Sequence, residues 1–202
     1  MRKWYISAFI FSLALALAAA GCSKKVVQRV EPDEVIDLSG KWNDTDSRLV
    51  SEEMIADCLN HPWLTKHATK YSKDPVVIVG AIRNKSSEHI AVGTFISDIE
   101  RALVNSGDVS VVASSLERQD LREEKADQAR FSTIESLKKQ GVELGADYML
   151  TGQINTIVDQ EKGEKVVFYQ TDLNLIDIET NSKVWLGQKK IKKFIERKRV
   201  SY

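Results

Sequence analysis

The chain begins with a segment that is too apolar to fold in water, whereas the residues that follow it have an ordinary mixture of polar and apolar side chains. Two basic residues, Arg2 and Lys3, precede an uninterrupted run of apolar and small side chains over residues 4–20. A basic start followed by an apolar stretch of this length is typical of a secretory signal peptide. A short membrane anchor is the alternative, but the small residues that end the run favour cleavage. We therefore predict that residues 1–21 are a signal peptide.

Cys22 is the expected site of lipid attachment. It follows Ala19, Ala20 and Gly21, and this pattern resembles the bacterial lipobox, although Ala19 stands where that motif usually has leucine. Small residues suit a narrow peptidase pocket that accepts the chain once the cysteine thiol carries diacylglycerol. Ser23 rather than aspartate comes next, as in lipoproteins sorted to the outer membrane. The resemblance implies acyl chains such as palmitate on Cys22 and an outer-membrane anchor that leaves the protein facing the periplasm.

The segment after the cysteine predicts a short linker. Residues 22–38, the lipidated N-terminus and linker, are polar, contain Pro32 and show no sustained periodicity. The sixteen residues that follow Cys22 in this segment span at most about 55 Å when fully extended. Residues 39–202 remain, and they are enough for one globular domain with a basic C-terminal tail.

The overall charge argues against a nucleic-acid partner. The chain has 29 basic and 29 acidic residues, and loss of the signal peptide leaves a net charge of about −2. A nearly neutral protein that carries an export signal has no general attraction for a polyanion inside the cell. Any basic binding surface must therefore be a patch in which basic residues cluster within an otherwise neutral protein.

The pattern of apolar residues predicts an α+β fold. A continuous apolar run over residues 76–82 is typical of a central strand that is buried on both faces. Helical periodicity is found over residues 48–60, 92–103 and 132–144, and the dense mixed charge over residues 114–130 is typical of a solvated helix. Strand patterns are found over residues 109–113, 148–158, 165–178 and 183–188. We expect a single mixed sheet of about four to five strands with helices packed on it, ending in an antiparallel meander.

Cys58 is expected in the core rather than in a reactive site. If Cys22 is acylated, Cys58 has no other cysteine to pair with, so a structural disulfide is excluded. Its spacing places it on the apolar face of the first helix, which we expect to be capped near Asp44 or Asp46. A small buried thiol is the ordinary role of such a residue.

The sequence offers no catalytic or metal-binding motif. His61 and His67 flank Pro62-Trp63 in an expected surface loop, and His89 stands alone before the second helix. The two loop histidines could bind a metal with a distant carboxylate, but surface histidines are the commoner case. Nucleophile and phosphate-binding motifs are absent. We predict that the protein is not an enzyme and has no catalytic residue, metal or cofactor.

Four lysines near the C-terminus are candidate partner-binding residues. Lys189, Lys190, Lys192 and Lys193 begin a tail in which Glu196 is the only acid. One interpretation is that they extend the last strand into a solvated end. The other is that they form an electrostatic contact with an acidic partner domain or with anionic lipid phosphates.

Several segments resemble the LpoB-type lipoprotein activators of penicillin-binding proteins. They are Gly-Ala-Asp-Tyr-Met-Leu-Thr-Gly at residues 145–152, the segments 40–48 and 79–84, and the end of the meander at 179–185. The resemblance spans roughly residues 38–190, and its wider relatives include the amino-terminal domain of TolB and CsgG. It implies a noncatalytic protein that binds and stimulates a bifunctional penicillin-binding protein in peptidoglycan synthesis, and so influences the cell wall and cell shape.

The same features leave a second hypothesis open. Residues 145–152 have a structural explanation as well, because Gly152 permits close packing between strands. Activators that reach an inner-membrane synthase often carry long linkers, whereas the linker predicted here is short. The alternative is a structural or secretion-associated envelope lipoprotein of the CsgG or TolB kind, and activation is the preferred hypothesis.

Overall fold

The computed structural model describes residues 26–131 and 145–196. The predicted signal peptide, Cys22, the predicted helix over 132–144 and the last six residues of the tail lie outside this part. The chain divides into two compact units, residues 1–34 and 35–202. In the first unit the described residues have neither helix nor strand, and Glu34 N–H closes a turn on the Glu31 carbonyl oxygen at 3.1 Å.

Four helices and five strands make up the described part of the second unit. The predicted elements at 48–60, 76–82 and 92–103 are confirmed, and the strand at 109–113 is confirmed in a shorter form. In chain order the elements are α1 (Asp44–Leu59), α2 (Pro62–Tyr71), β1 (Val76–Asn84), α3 (Val92–Ser106), β2 (Ser110–Val112), α4 (Ser115–Phe131), β3 (Tyr148–Glu161), β4 (Glu164–Asp177) and β5 (Lys183–Glu196).

The strands form one mixed sheet in the order β2-β1-β3-β4-β5. β1 pairs in parallel with both β2 and β3, and the last three strands form the predicted antiparallel meander. The register between β1 and β3 shifts between Val79 and Ile82, so that one extra residue of β1 is accommodated there. The predicted α+β fold is therefore confirmed.

Within the described residues, helices cover one face of the sheet, and the side chains that β3, β4 and β5 carry on the other face, which we call the open face, are partly or fully exposed. Every second residue of β4, from Val167 to Leu175, is buried, as expected for a strand with one covered face. On the covered face α1 packs on α3 and β5, and α3 packs on β1 and β2. The core lies between them and includes Val50, Met54, Ile55, Val77, Phe95, Ile99, Leu103, Leu150, Ile154, Leu173, Leu175 and Trp185.

The packing of the core accounts for the predicted roles of Cys58 and Gly152. Cys58 is buried, as predicted, and burial raises the pKa of its thiol to about 12, so it remains protonated. A β-carbon at Gly152 would collide with the Asp172 carbonyl oxygen and with the Leu173 side chain on β4. The close strand packing predicted at Gly152 is thus confirmed.

The predicted cap of the first helix is wrong by one to three residues. Asn43 is the N-cap, because its side-chain oxygen accepts from Asp46 N–H while the Asp46 carboxylate accepts from Asn43 N–H, each at 3.0 Å. Such a reciprocal capping box satisfies two backbone donors at once. Asp46 therefore contributes to the cap from inside the helix.

The surface loop predicted around His61 and His67 is also wrong. This segment forms α2, and Pro62 occupies its first turn, where the missing proline N–H costs no helical hydrogen bond. His67 is only 2% exposed. The helix stops at Ser72, which has a left-handed φ of 53°.

Candidate partner-binding groove

One face of α2 places aromatic side chains against the start of β3. Trp63, His67 and Tyr71 recur every four residues, so they lie along a single stripe of the helix. The Trp63 indole N–H donates to the Cys58 carbonyl oxygen at 2.7 Å, and its ring meets the Tyr148 ring edge-on, with centroids 4.9 Å apart. The stripe is thereby anchored to both α1 and the sheet.

Asp147 ties the start of β3 to β1. Its backbone N–H donates to the Val76 carbonyl oxygen at 2.8 Å, and its carboxylate accepts from Val76 N–H at 2.9 Å. Lys73 pairs with the same carboxylate at 3.1 Å. The aspartate of the Gly-Ala-Asp-Tyr segment therefore has a structural role at the end of the sheet that α2 covers.

His67 is a buried, uncharged group in this arrangement. Its Nδ1 lies 3.0 Å from the Tyr148 hydroxyl, while its Nε2 is 3.9 Å from the Asp147 carboxylate and has no hydrogen-bond partner among the described residues. Burial lowers the pKa of His67 and outweighs the opposite effect of Asp147. Burial also raises the pKa of Tyr148 to about 12. Both rings are therefore neutral at pH 7.

A groove of about 520 Å³ opens between α2 and the neighbouring strand ends. Its base is aromatic, and three lysines, Lys66, Lys70 and Lys183, lie on its rim with Asp177 as the one lining acid. Asp177 stays charged, because a hydrogen bond from Thr180 N–H at 2.8 Å lowers the pKa of its carboxyl group. We call this surface the α2 groove. Its remaining lining residues are His61, Pro62, Trp63, His67, Tyr71, Tyr148 and Val184.

The α2 groove is not predicted from the sequence, because a surface loop is expected where the structure has helix α2. The signal was present: Pro62 is typical of a first helical turn, and Trp63, His67 and Tyr71 follow at helical spacing. Ten residues with one proline gave too short a pattern to stand out from a loop. Only the packing against Tyr148 shows that the stripe forms the aromatic base of a groove.

The structure separates the four predicted lysines into two pairs. Lys193 lies on the helix-covered face, where its ammonium group contacts the carboxylates of Asp37 and Asp46, each at 2.7 Å. Burial lowers the pKa of Lys193, but these two hydrogen-bonded carboxylates prevail and hold it above its usual value. Lys189 lies on the same face and pairs with Glu53 of α1. These two lysines are engaged within the domain.

Lys190 and Lys192 occupy the open face of the same strand, and both are exposed. The register places Lys190 beside Gln170 and Lys192 beside Phe168 of β4. Because β5 alternates its side chains between faces, adjacent lysines in the sequence point to opposite sides of the sheet. As a partner-binding site, the lysines remain a prediction, and this pair is the half available to solvent.

The described residues contain no group of three or more histidine, cysteine, aspartate or glutamate side chains placed to hold a metal ion. The predicted alternative, a His61 and His67 metal site, is not assembled there, since His61 is exposed beside Asp57 of α1 while His67 is buried against Tyr148. Within the same part of the chain, no helix is both long and apolar enough to cross a membrane.

A mixed sheet with helices on one face and a concave, aromatic groove at its end defines the class of protein, a single-sheet α+β domain. The particular family follows from comparison with known proteins. The family model for the peptidoglycan-synthase activator LpoB matches residues 46–191, and the chain belongs to this family. The resemblance to LpoB-type activators found in the sequence is thereby confirmed. An activator family is regulatory rather than catalytic, which agrees with the prediction that the protein is not an enzyme.

The solved structures that match the chain are only distantly similar to it in sequence, and no curated protein matches the chain. The LpoB C-terminal domain from Salmonella enterica is 15% identical, with a TM-score of 0.42, and the match covers 73% of this chain and 99% of that one. The NMR structure of E. coli LpoB is 15% identical, with a TM-score of 0.40 and coverage of 89% and 84%. Lipoprotein GNA1162 from Neisseria meningitidis is 14% identical, with a TM-score of 0.39 and coverage of 62% and 88%.

Proposed function

We propose that the protein is a lipid-anchored, noncatalytic regulator that binds a bifunctional penicillin-binding protein and stimulates its synthesis of peptidoglycan. The observation that carries this proposal is the match to the peptidoglycan-synthase activator family over residues 46–191, which includes the whole α2 groove. The lipid on Cys22 anchors it in the outer membrane on the periplasmic side. Binding shifts the synthase towards its active conformation, and no chemistry by this chain is required.

The α2 groove is the surface we assign to the synthase. Tyr71 is 40% exposed on its wall, and exposed aromatic side chains over a concave surface are typical of the central contacts in protein interfaces. The lysine rim adds attraction for an acidic segment of the partner. A partner that inserts an apolar or aromatic side chain between the lysines would therefore fit this groove.

The groove lies at one end of the sheet. Lys193, which binds Asp37, pairs with Val167 in the register of the sheet. The groove lies at the other end of the strands, at Tyr148, ten residues along β3 from the partner of Val167, or about 33 Å away. The groove and the contact between Lys193 and Asp37 therefore occupy opposite ends of the sheet.

The short linker limits how far the folded domain can lie from its membrane. The sixteen residues after Cys22 span at most about 55 Å when fully extended. The synthase must therefore present its binding site within reach of a domain that is held no farther than this from the outer membrane.

The proposal is tested by reconstitution of the full-length chain with a bifunctional penicillin-binding protein in detergent. We expect the wild-type protein to increase the rate of glycan polymerisation and the double variant Lys66→Glu, Lys70→Glu to lose most of this effect, because two repulsive charges replace two attractive ones on the groove rim. The matched variant Lys190→Glu, Lys192→Glu changes the same charge on the open face.

The outcomes separate the two surfaces. Loss of stimulation with the groove variant alone supports the groove, and loss with the β5 variant alone assigns the contact to the predicted lysines instead. If the wild-type protein neither binds nor stimulates any bifunctional synthase, and crosslinking in cells captures secretion or Tol-type envelope proteins, the activator function is wrong.

The anchor requires a test of its own. Cys22→Ala removes the thiol that would carry diacylglycerol, so we expect an unacylated precursor that no longer fractionates with the outer membrane. Metabolic labelling with a fatty acid and separation of the membranes measure both effects. Normal acylation of this variant would contradict the proposed anchor, whereas Ser23→Ala provides a control that keeps the cysteine.

A further inference from the structure

The open face of the sheet carries a belt of amide side chains that the proposed synthase contact does not use. The register places Gln153, Asp172 and Gln188 side by side on β3, β4 and β5, with Arg83 of β1 next to Gln153. This row continues across four neighbouring strands, or about 14 Å. Gln153, Gln188 and Arg83 are exposed.

Two parallel rows widen the polar surface on either side. Asn155 lies beside Gln170, which in turn lies beside Lys190, and Thr151 lies beside Asn174. We define the amide belt by the six residues Gln153, Asn155, Gln170, Asp172, Asn174 and Gln188. All six side chains share the face opposite the helices, because partners in the register lie on the same side of a sheet.

A hydrogen-bond network holds the centre of the belt in position. The Asp172 carboxylate accepts from the amide nitrogens of Gln188 at 2.9 Å, of Gln170 at 3.0 Å and of Asn155 at 3.5 Å. Each amide has a carbonyl oxygen and a second N–H in addition to the donor used here. Asp172 therefore orders neighbouring side chains without occupying all their hydrogen-bonding capacity, which lowers the cost of ordering them around a ligand.

The belt has a concave end. A cavity of about 320 Å³ lies where β1 carries its extra residue, and it is lined by Arg83, Thr151, Gln153 and Asn174 together with Ala81, Met149 and Gly152. Apolar side chains border the belt on both sides, Met149 at one and Ile157 and Phe168 at the other. The surface therefore combines ordered amides, a groove and two apolar margins.

We propose that the amide belt binds the glycan strand of peptidoglycan. Hydroxyl and acetamido groups need paired donors and acceptors without net charge, which amide side chains supply. The apolar faces of sugar rings can pack on Met149 and Phe168, and Arg83 and Lys190, at opposite ends of the belt, can pair with carboxyl groups carried by the glycan. A peptide strand would instead add to a free sheet edge, whereas five of the six belt residues lie on β3 and β4, which are inside the sheet and have strands on both sides.

This inference goes beyond the proposed function and rests on it only for the identity of the glycan. The α2 groove contacts the synthase, and the amide belt holds the polymer that the synthase makes. The two surfaces share no residue. An activator with both surfaces would stay bound to the growing glycan through the amide belt even after the α2 groove had released the synthase.

The test is cosedimentation of the full-length chain, in detergent, with peptidoglycan sacculi freed of protein. We expect the wild-type protein to sediment and Gln153→Ala, Gln188→Ala to bind about tenfold more weakly, since each removed amide contributes a few-fold to affinity. The matched control is Gln119→Ala, Gln160→Ala, two exposed glutamines outside the belt, which should bind as the wild type does. Titration with tetra-N-acetylchitotetraose should show the same ranking.

Two further variants keep the test decisive if the double variant does not fold. Asp172→Asn has almost the same shape but removes the charge that orders the amides, and Thr151→Trp fills the cavity at the end of the belt. Both should weaken sedimentation several-fold. Absence of wild-type sedimentation, or equal sedimentation of folded belt and control variants, overturns the proposal.

Glycan binding by the amide belt can be tested separately from stimulation of the synthase through the α2 groove. Lys66→Glu, Lys70→Glu should still sediment with sacculi, and the belt variant should still stimulate a synthase that acts on lipid-linked substrate without sacculi. If no synthase is stimulated while sedimentation depends on the belt, the proposed function fails and the glycan site stands.

Discussion

The two faces of β5 show how differently the same residue type is used in one short stretch of chain. On the helix-covered face, Lys193 has a side chain only 11% exposed and pairs with Asp37 and Asp46, and Lys189 pairs with Glu53. On the open face, Lys190 and Lys192 are exposed, and their partners in the register of β4, Gln170 and Phe168, are uncharged. The alternation of β5 therefore divides one basic stretch into two lysines that pair within the domain and two that are exposed.

The difference extends to the larger surfaces of the domain. The covered face ends in the α2 groove, which is concave, aromatic and rimmed by lysines, whereas the open face carries the nearly uncharged amide belt. Covered residues form the core, so we expect substitutions there to destabilise the domain, whereas substitutions of exposed open-face residues should be tolerated. Matched substitutions on the covered face and on the open face test this difference directly.

The largest expected effect is at Lys193. Lys193→Ala leaves the carboxylates of Asp37 and Asp46 without their shared cation, and Asp46 is nearly buried, so we expect a loss of about 3 kcal/mol in the free energy of unfolding. Lys192→Ala, one residue away on the open face, should change it by less than about 0.5 kcal/mol. Urea unfolding of both variants measures the difference, and equal losses would refute the division of β5.

A smaller loss is expected at Gly152. Gly152→Ala places a β-carbon against the Asp172 carbonyl oxygen, which belongs to the paired backbone of β4 and cannot move aside. We expect about 2 kcal/mol of destabilisation from this overpacking. Gly93→Ala is the control, because a β-carbon there meets nothing within 4 Å and alanine favours helix. Thermal unfolding that ranks the two variants the other way would contradict the packing described for β3 and β4.

The smallest expected effect is a dependence on pH at His67. Burial holds its pKa in the folded protein below the usual value of 6.5, so the unfolded chain takes up the proton first as the pH falls. The stability from neutral His67 is complete above about pH 6.5 and is lost below it. We expect the Tm to fall more steeply between pH 7.5 and 5.5 for the wild type than for His67→Gln. Parallel curves would show that the ring is not buried as described.

Much of the fold could be predicted because its signals are local. The apolar run that became β1, the spacing of α3 and the alternation of the meander each follow from the period of helix or strand. α2 could not be recognised in the same way, because ten residues that begin with Pro62 carry both helix and loop signals. The N-cap was misplaced for a similar reason: Asn43, Asp44 and Asp46 are all good capping residues, and only geometry selects Asn43.

The candidate sites were less accessible to sequence reasoning because they join distant segments. Tyr148 belongs to a segment that resembles a known family, but its partner His67 lies 81 residues away. The amide belt similarly needs β3, β4 and β5 in one register before Gln153, Asp172 and Gln188 become neighbours. Polar residues on alternating strand positions otherwise resemble any solvated face.

By itself the sequence determined the α+β class, the family, the buried role of Cys58 and the prediction of a lipid anchor at Cys22, since each depends on residues close together in the chain. Only the tertiary structure decided which lysines are free, that His67 is buried, and which side chains form the groove and the belt. The physical reason is that burial and pairing depend on contacts between residues far apart in the chain. Lys192 and Lys193 are neighbours in sequence and differ only because the pleat of β5 turns one to solvent and the other to Asp46.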